Sequence, residues 1–230
     1  KEKELSELKT RFISMISHEY RTPLTIIMTS TYLLEKYFTE SDAVNFKKRV
    51  EMVKSSVKNM VQLLEDVLLF GKPGTGKIDL SLDEIDLVEL TGYIIEEINS
   101  TTAVPGNIEI LPSNSIILMR SNEILLRRII SNLLTNAVKY SPEKEVINVV
   151  IIEKKEDITF KVIDKGIGIS ESDLEKIFEP FFRGKNIGTA AGTGLGLSIV
   201  KGCVKSLNGT INVSSEKGKG TAFIVNLPKT

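Results

Sequence analysis

Between Phe46 and Val67 the apolar residues fall at Phe46, Val50, Val53, Val57, Met60, Leu64 and Val67, in alternating steps of four and three. That rhythm is the seam of a coiled coil or helical bundle. An upstream segment keeps the same beat at Leu5, Leu8, Phe12 and Met15. It then places Glu19 and Thr22 in the seam before returning to Ile26 and Leu33. Residues 1–70 therefore read as two helices joined by a turn at "FTESD", with Ser41 or Asp42 capping the second. Two helices alone bury too little apolar surface to be stable. The expectation is an antiparallel hairpin that dimerises into a four-helix bundle.

After Gly71 the pattern breaks. "GKPGTGKI" nearly spells a phosphate-binding loop, but Ile78 stands where the magnesium-binding hydroxyl belongs. Such a loop also needs a strand before it and a helix after it. Here a helical pattern precedes and a strand-like alternation, "KIDLSLDEI", follows. Gly and Pro between two unlike patterns mark a linker, which assigns residues 71–77 to a linker and leaves Lys77 without a catalytic role. Residues 78–230 alternate short strands with helices. "DLVELTGYIIEEINS" reads as a helix with Asp86 and Glu89 as its capping box. "NIEIL" and "SIILM" are strand candidates, and "SNEILLRRIISNLLTNAVKY" is an amphipathic helix. "VINVVIIE" and "DITFKVID" form a hairpin around "KKED". A helix near 196–207 and the strands "TINVSS" and "TAFIVNL" follow. The fold expected is α + α/β: a helical hairpin, then a mixed α/β domain with a largely antiparallel sheet and helices over one face.

Thirty basic residues balance thirty acidic ones, so no electrostatic footprint calls for nucleic acid as a partner. A single cysteine, Cys203, excludes an internal disulfide and fits a reducing compartment, hence a cytoplasmic location. No apolar run approaches the roughly 20 residues of a membrane span and no signal-peptide pattern opens the chain, so no membrane contact is expected of these residues. The opening "KEKELSELKT" reads as the middle of a helix, the expectation for a piece of a longer, membrane-anchored protein. His18 is the single histidine, so any histidine chemistry happens at one place.

Four segments could carry chemistry. In "SHEYRTPL", His18 lies one position off the seam, and Glu19 beside it can orient an imidazole and take its proton. Pro23 cannot donate to the Glu19 carbonyl, so a kink is expected next to the histidine. On the helix after "SNEILL", Asn132 and Asn136 share one face, with Lys139 a turn on and Tyr140 beside it. Amide oxygens are hard ligands suited to magnesium, and caps are their common alternative role. In "DKGIGIS", Asp164 ends a strand, and Gly166 and Gly168 permit a tight turn. A carboxylate there can accept from an exocyclic amine such as adenine's. In "GTGLGLSIVKG", Gly192, Gly194 and Gly196 precede a helix whose free N–H groups can face phosphate. Upstream, "FEPFFRGKNIGTAA" reads as a lid with a cationic hinge at Arg183 and Lys185.

Taken in order, these segments resemble the motifs of the sensor histidine kinases of two-component signalling. "FISMISHEYRTPLT" is similar to the phospho-acceptor box and "RRIISNLLTNAVKYSP" to the asparagine box. "DKGIGIS" and "GTGLGLSIVK" are similar to the two glycine boxes, "IFEPFFRG" to the phenylalanine box, and "GKGTAF" to the closing glycine segment. Tyr20, where leucine is more usual, is the one departure. The resemblance implies a dimeric phospho-acceptor hairpin followed by the ATP-binding α/β sandwich shared with certain chaperone and mismatch-repair ATPases. It implies ATP and Mg2+ as cofactors. His18 is then the phosphate acceptor and Glu19 its base. Asn136, helped by Asn132, holds magnesium, Lys139 and Arg183 meet phosphates, Tyr140 lines the pocket and Asp164 reads adenine. Gly166, Gly168, Phe182, Thr221 and the run Gly192, Thr193, Gly194, Leu195 and Gly196 complete the nucleotide contacts. Phosphotransfer to an aspartate on a response regulator receiver domain is implied. So is dephosphorylation of that regulator, through the acidic-x-x-Thr pattern of Glu19 and Thr22. The rival readings are an ATPase without histidine phosphorylation and an ATP-binding dimeric scaffold. The related ATPases use a glutamate four residues before the magnesium asparagine, and here that position is Asn132.

Overall fold

A computed structural model describes residues 2–37, 43–71, 81–101, 106–184 and 194–229. They divide into two compact units, a helical one and an α/β one.

The helical unit is α1 (Glu2–Tyr37) packed along α2 (Ala43–Gly71). Helix α1 runs without interruption through Pro23, which is buried. Ser30 and Ser56 are buried too, and Ile26, Leu33, Val50, Val53 and Met60 are half-buried. The heptad seam of α2 is split: Phe46, Val57 and Leu64 stay exposed, as do Leu24, Met28 and Tyr32 of α1. The apolar stripe is wider than one neighbouring helix covers. The expected "FTESD" turn and its caps lie outside the described residues, although α2 starts directly after them. Helix α2 extends through Gly71, the first residue of the expected linker. The rest of that linker, Lys77 included, lies outside the described residues.

The α/β unit runs β1 (Asp83–Asp86), α3 (Leu87–Thr101), β2 (Asn107–Pro112), β3 (Leu118–Ser121), α4 (Glu123–Tyr140), β4 (Val146–Glu153), β5 (Asp157–Asp164), α5 (Glu171–Leu174), α6 (Gly196–Ser206), β6 (Thr210–Glu216) and β7 (Gly220–Pro228). Five strands form one sheet in the order β2-β4-β5-β7-β6, antiparallel except for the parallel β2–β4 pair. Strands β1 and β3 pair separately. The strand expected over "KIDLSLDEI" is shorter than its alternation: among the described residues it begins at Asp83.

Alternation sorts the sheet into two faces. Ile147, Val149 and Ile151 of β4, Phe160 and Val162 of β5, and Phe223 and Val225 of β7 are buried. They share the core with Leu126, Ile129, Ile130, Leu133 and Leu134 of α4 and with Ile199 and Val200 of α6. The opposite parity (Val150, Ile152, Ile163, Ile224) is half-buried, the mark of a sheet with helices on one face. Thr159 is the buried exception there, and its hydroxyl donates to Asn226 Oδ1 (2.8 Å).

Helix α3 is capped by Asp86, whose Oδ1 accepts from Val88 N–H (3.0 Å) and from Ile117 N–H (3.2 Å). The same carboxylate therefore starts the helix and pins the approach to β3. Glu89 does not complete the expected capping box; it accepts from the Tyr93 hydroxyl instead (2.9 Å).

Candidate nucleotide site

Asp164 falls on the core-facing parity of β5, at the strand's last position, and is only 7% exposed. A carboxylate is costly to bury unless hydrogen-bonded. Asp164 Oδ1 accepts from Gly166 N–H (2.8 Å), and the Thr221 N–H supports its charged form as well. Burial pushes its pKa up from the ordinary value, and the two backbone donors offset part of that rise.

The loop after Asp164 is gripped from both sides. Ile167 N–H donates to the Tyr140 carbonyl at the end of α4 (3.3 Å), and Gly218 N–H donates to the Ile167 carbonyl (2.8 Å). A side chain at Gly166 would meet the Tyr140 carbonyl oxygen at 2.5 Å. Gly168 has φ +64° and lies against the Glu216 backbone, so both conformation and space demand glycine there. Ser215 holds the third side: its hydroxyl accepts from Ile169 N–H (2.8 Å), donates to the Gly220 carbonyl (2.8 Å) and lies 2.9 Å from Thr221 Oγ1. Sequence reasoning passed over Ser215. The available signal was parity, since Ser215 pairs with Thr221 in the β6–β7 register and so shares its face.

Helix α4 is started by Asn122, which accepts from Leu125 N–H (3.0 Å), and its apolar face is buried. That leaves Asn132 and Asn136 half-buried. Asn132 Nδ2 donates to the Arg128 carbonyl (2.9 Å), which fixes the amide. A Cβ on Gly196 would lie 2.7 Å from Asn132 Oδ1. The Asn136 amide makes no hydrogen bond among the described residues. Lys139 Nζ lies 4.8 Å from the Tyr140 ring centroid.

Helix α6 begins at Gly196 after the buried Leu195, with no side chain among the described residues capping that end. Its first N–H groups are thus available to an anion. Phe181 N–H donates to the Gly194 carbonyl (3.0 Å), and both residues are left-handed, at φ +66° and +68°. The phenylalanine segment therefore abuts the glycine segment. Phe182 is half-buried and Arg183 exposed. Gly192, Thr193 and the body of the expected lid lie outside the described residues.

Tyr140, Asp164, Gly166, Gly168 and Thr221 are thus brought together, as are Asn132 and Gly196. The phospho-acceptor candidates His18, Glu19 and Thr22 sit in the helical unit. His18 is on α1, with its side chain outside the described residues; Glu19 is half-buried and Thr22 exposed. No helix among the described residues is long and apolar enough to cross a membrane.

Two family models match the chain. Residues 8–76 match the His Kinase A (phospho-acceptor) domain, and residues 121–230 match the histidine kinase-, DNA gyrase B- and HSP90-like ATPase. The chain is 32% identical to the autoinducer 2 sensor kinase/phosphatase LuxQ of Vibrio cholerae, over 98% of this chain and 27% of that protein. It is also 32% identical to the heme sensor protein HssS of Staphylococcus saprophyticus, over 99% of this chain and 48% of that protein. It therefore spans half or less of the length of these relatives. Among solved structures, full-length ShkA in complex with AMPPNP matches with a TM-score of 0.68 at 26% identity, over 94% of this chain and 45% of that one. The mycobacterial sensor histidine kinase MprB matches with a TM-score of 0.55 at 26% identity, over 64% of this chain and 97% of that one. A phospho-acceptor hairpin followed by an ATPase-type sandwich, with both family models matched in that order, places this chain among the sensor histidine kinases of two-component signalling.

Proposed function

We propose that this chain is the phosphotransfer core of a sensor kinase: it binds ATP in the α/β unit, phosphorylates itself on His18, and passes the phosphoryl group to an aspartate of a response regulator receiver domain. The observation that carries the reading is Asp164, a buried carboxylate with Oδ1 held by Gly166 N–H. Such a group is an acceptor fixed in place for the exocyclic amine of adenine. The Tyr140 carbonyl grips the loop after Asp164 through Ile167 N–H, and Gly166 and Gly168 give that loop its tight course. The N-terminus of α6 from Gly196, with Lys139 and Arg183, supplies positive potential for the phosphates.

Among the described residues no cluster of His, Cys, Asp or Glu could hold a metal. The donors that fit Mg2+ are amides: Asn136, whose oxygen has no hydrogen bond among the described residues, and Asn132, whose amide is held by the bond to the Arg128 carbonyl. When bound there, Mg2+ supplies charge neutralisation on the phosphate oxygens. Phosphoryl transfer needs positioning and electrostatics more than covalent chemistry from the protein. A ring nitrogen of His18 attacks the γ-phosphorus, the bond to the β–γ bridging oxygen breaks, ADP leaves, and Glu19 takes the imidazole proton. Thr22 is assigned to the reverse task, orienting a water for hydrolysis of the regulator's aspartyl phosphate. The kinase/phosphatase description of the Vibrio relative supports that assignment.

The exposed stripe of Leu24, Met28, Tyr32, Phe46, Val57 and Leu64 supports a homodimer that completes a four-helix bundle. The working division is 1–70 for the acceptor hairpin, 71–77 for the linker and 78–230 for the ATP-binding domain, in the cytoplasmic part of a longer protein. A pure ATPase reading is disfavoured by Asn132, which offers no carboxylate to activate water. The test is incubation with γ-labelled ATP and Mg2+. Acid-labile, base-stable label on the wild-type chain is expected, and its absence overturns the reading.

A further inference from the structure

The hydroxyl of Ser215 has one proton and two lone pairs, and all three are accounted for. The Gly220 carbonyl can only accept, so at 2.8 Å it receives the Ser215 proton. Ile169 N–H can only donate, so it takes one lone pair (2.8 Å). The remaining contact, 2.9 Å to Thr221 Oγ1, must then run from Thr221 to Ser215. The Thr221 proton is thereby committed, and its lone pairs are what it offers elsewhere. Thr221 is directly opposite Asp164 in the β5–β7 register, and both are 7% exposed on the core-facing side. Cross-strand partners on one face stand about 5 Å apart, so the two side chains are neighbours at the end of the sheet.

We propose that Ser215 is a positioning residue for base recognition: by taking the Thr221 proton it makes Thr221 an acceptor beside Asp164, so that the pair selects a 6-aminopurine against a 6-oxopurine. This rests on the reading of Asp164 as the base-binding carboxylate. An amine has protons for both acceptors, whereas a carbonyl at the same position meets lone pairs only. A pocket that leaves buried polar groups unmatched rejects the wrong analogue strongly. Without Ser215 the Thr221 hydroxyl can turn and donate, and the rejection weakens. Ser215 also anchors Ile169, so its loss can loosen the loop. A loosened loop weakens all nucleotides alike, whereas a change in proton direction alters their ratio.

The experiment measures ATP and inosine triphosphate affinities of the 230-residue chain by calorimetry. Ser215→Ala is expected to narrow the ATP preference about tenfold, the order of one neutral hydrogen bond. Thr221→Val is expected to narrow it similarly, while Thr221→Ser, which keeps the hydroxyl, preserves it. Because Ser215 acts through Thr221, the double variant Ser215→Ala/Thr221→Val should match Thr221→Val alone. Equal weakening of both nucleotides by Ser215→Ala, or additive effects in the double variant, overturns the proposal. If Ser215→Ala does not fold, Thr221→Val and Thr221→Ser still decide, since an unchanged ratio in Thr221→Val refutes the acceptor role. Asp164→Asn separates the two levels. Unchanged ATP affinity in that variant removes the base-binding reading itself. Lost affinity there, with an unchanged ratio in Ser215→Ala, removes only the role given to Ser215.

Discussion

Asp164→Asn tests the nucleotide site most sharply, because structure and binding move in opposite directions. The asparagine Oδ1 can still accept from the Gly166 N–H that holds the carboxylate. What changes is the other end, where an amide donor replaces an acceptor. Losing a charge-assisted hydrogen bond costs about 1.5–3 kcal/mol, and an unmatched buried donor costs about 1–3 kcal/mol more. The sum is about 2.5–6 kcal/mol, roughly seventyfold or more in Kd. At an ATP concentration of about 100 times the wild-type Kd, binding stabilises the wild type by about 2.7 kcal/mol and the variant by about 0.5 kcal/mol or less. For a unit of this size each kcal/mol moves Tm by roughly 2–4 °C, so ATP should raise the wild-type Tm by about 5–11 °C and the variant's by no more than about 2 °C. Without nucleotide the order reverses. Burial raises the Asp164 pKa above 3.8, so its protonated form contributes stability that is fully present below that value and lost as pH rises through the raised one. The variant has no such loss and should be at least as stable as wild type at neutral pH. Thermal denaturation with and without ATP, repeated from acid to neutral pH, reads both effects. A variant that still gains several degrees from ATP, or that melts well below wild type without it, refutes the reasoning.

Further outcomes are expected. His18→Gln should abolish acid-labile labelling yet leave ATP affinity within about twofold, because His18 and Asp164 lie in different units; residual acid-labile label on this variant, which has no histidine left, would exclude His18 as the acceptor. Lys77→Ala should leave ATP affinity unchanged by calorimetry, and a large loss would revive the phosphate-loop reading of "GKPGTGKI". Thr22→Ala should keep autophosphorylation and phosphotransfer but slow the decay of a pre-phosphorylated cognate regulator in the presence of ADP; equal decay rates leave Thr22 without a phosphatase role. Gly92, inside α3, has open space for 4 Å around the point where a Cβ would stand, so Gly92→Ala should stabilise by about 0.5–1 kcal/mol in urea titration. Gly168→Ala, by contrast, should destabilise and impair ATP binding, because of its φ and the Glu216 backbone beside it.

Local signals in the sequence determined the elements. Steps of four and three between Phe46 and Val67 can only be satisfied by a helix with a buried stripe, and α2 is that helix. The four-residue step from Asn132 to Asn136, against the apolar face of α4, placed both amides on the side away from the core. Asp164 at a strand end before Gly166 was legible for the same reason: strand parity and glycine spacing act over a few residues. Tertiary structure decided what depends on residues far apart in the chain. The heptad pattern could not say which seam positions face α1 and which stay exposed, because coverage depends on how many helices share the stripe. Glu89 fitted a capping box, but Tyr93 one turn on offered its carboxylate a competing donor. Asp86 gained a second partner, Ile117 N–H, only because β1 and β3 pair. Ser215 carried no motif, and its role exists because the sheet brings Ile169, Gly220 and Thr221 to one hydroxyl. The chain therefore encodes the periods and turn residues directly, whereas the direction of a single proton comes from contacts spanning 46 residues, which only the folded sheet supplies.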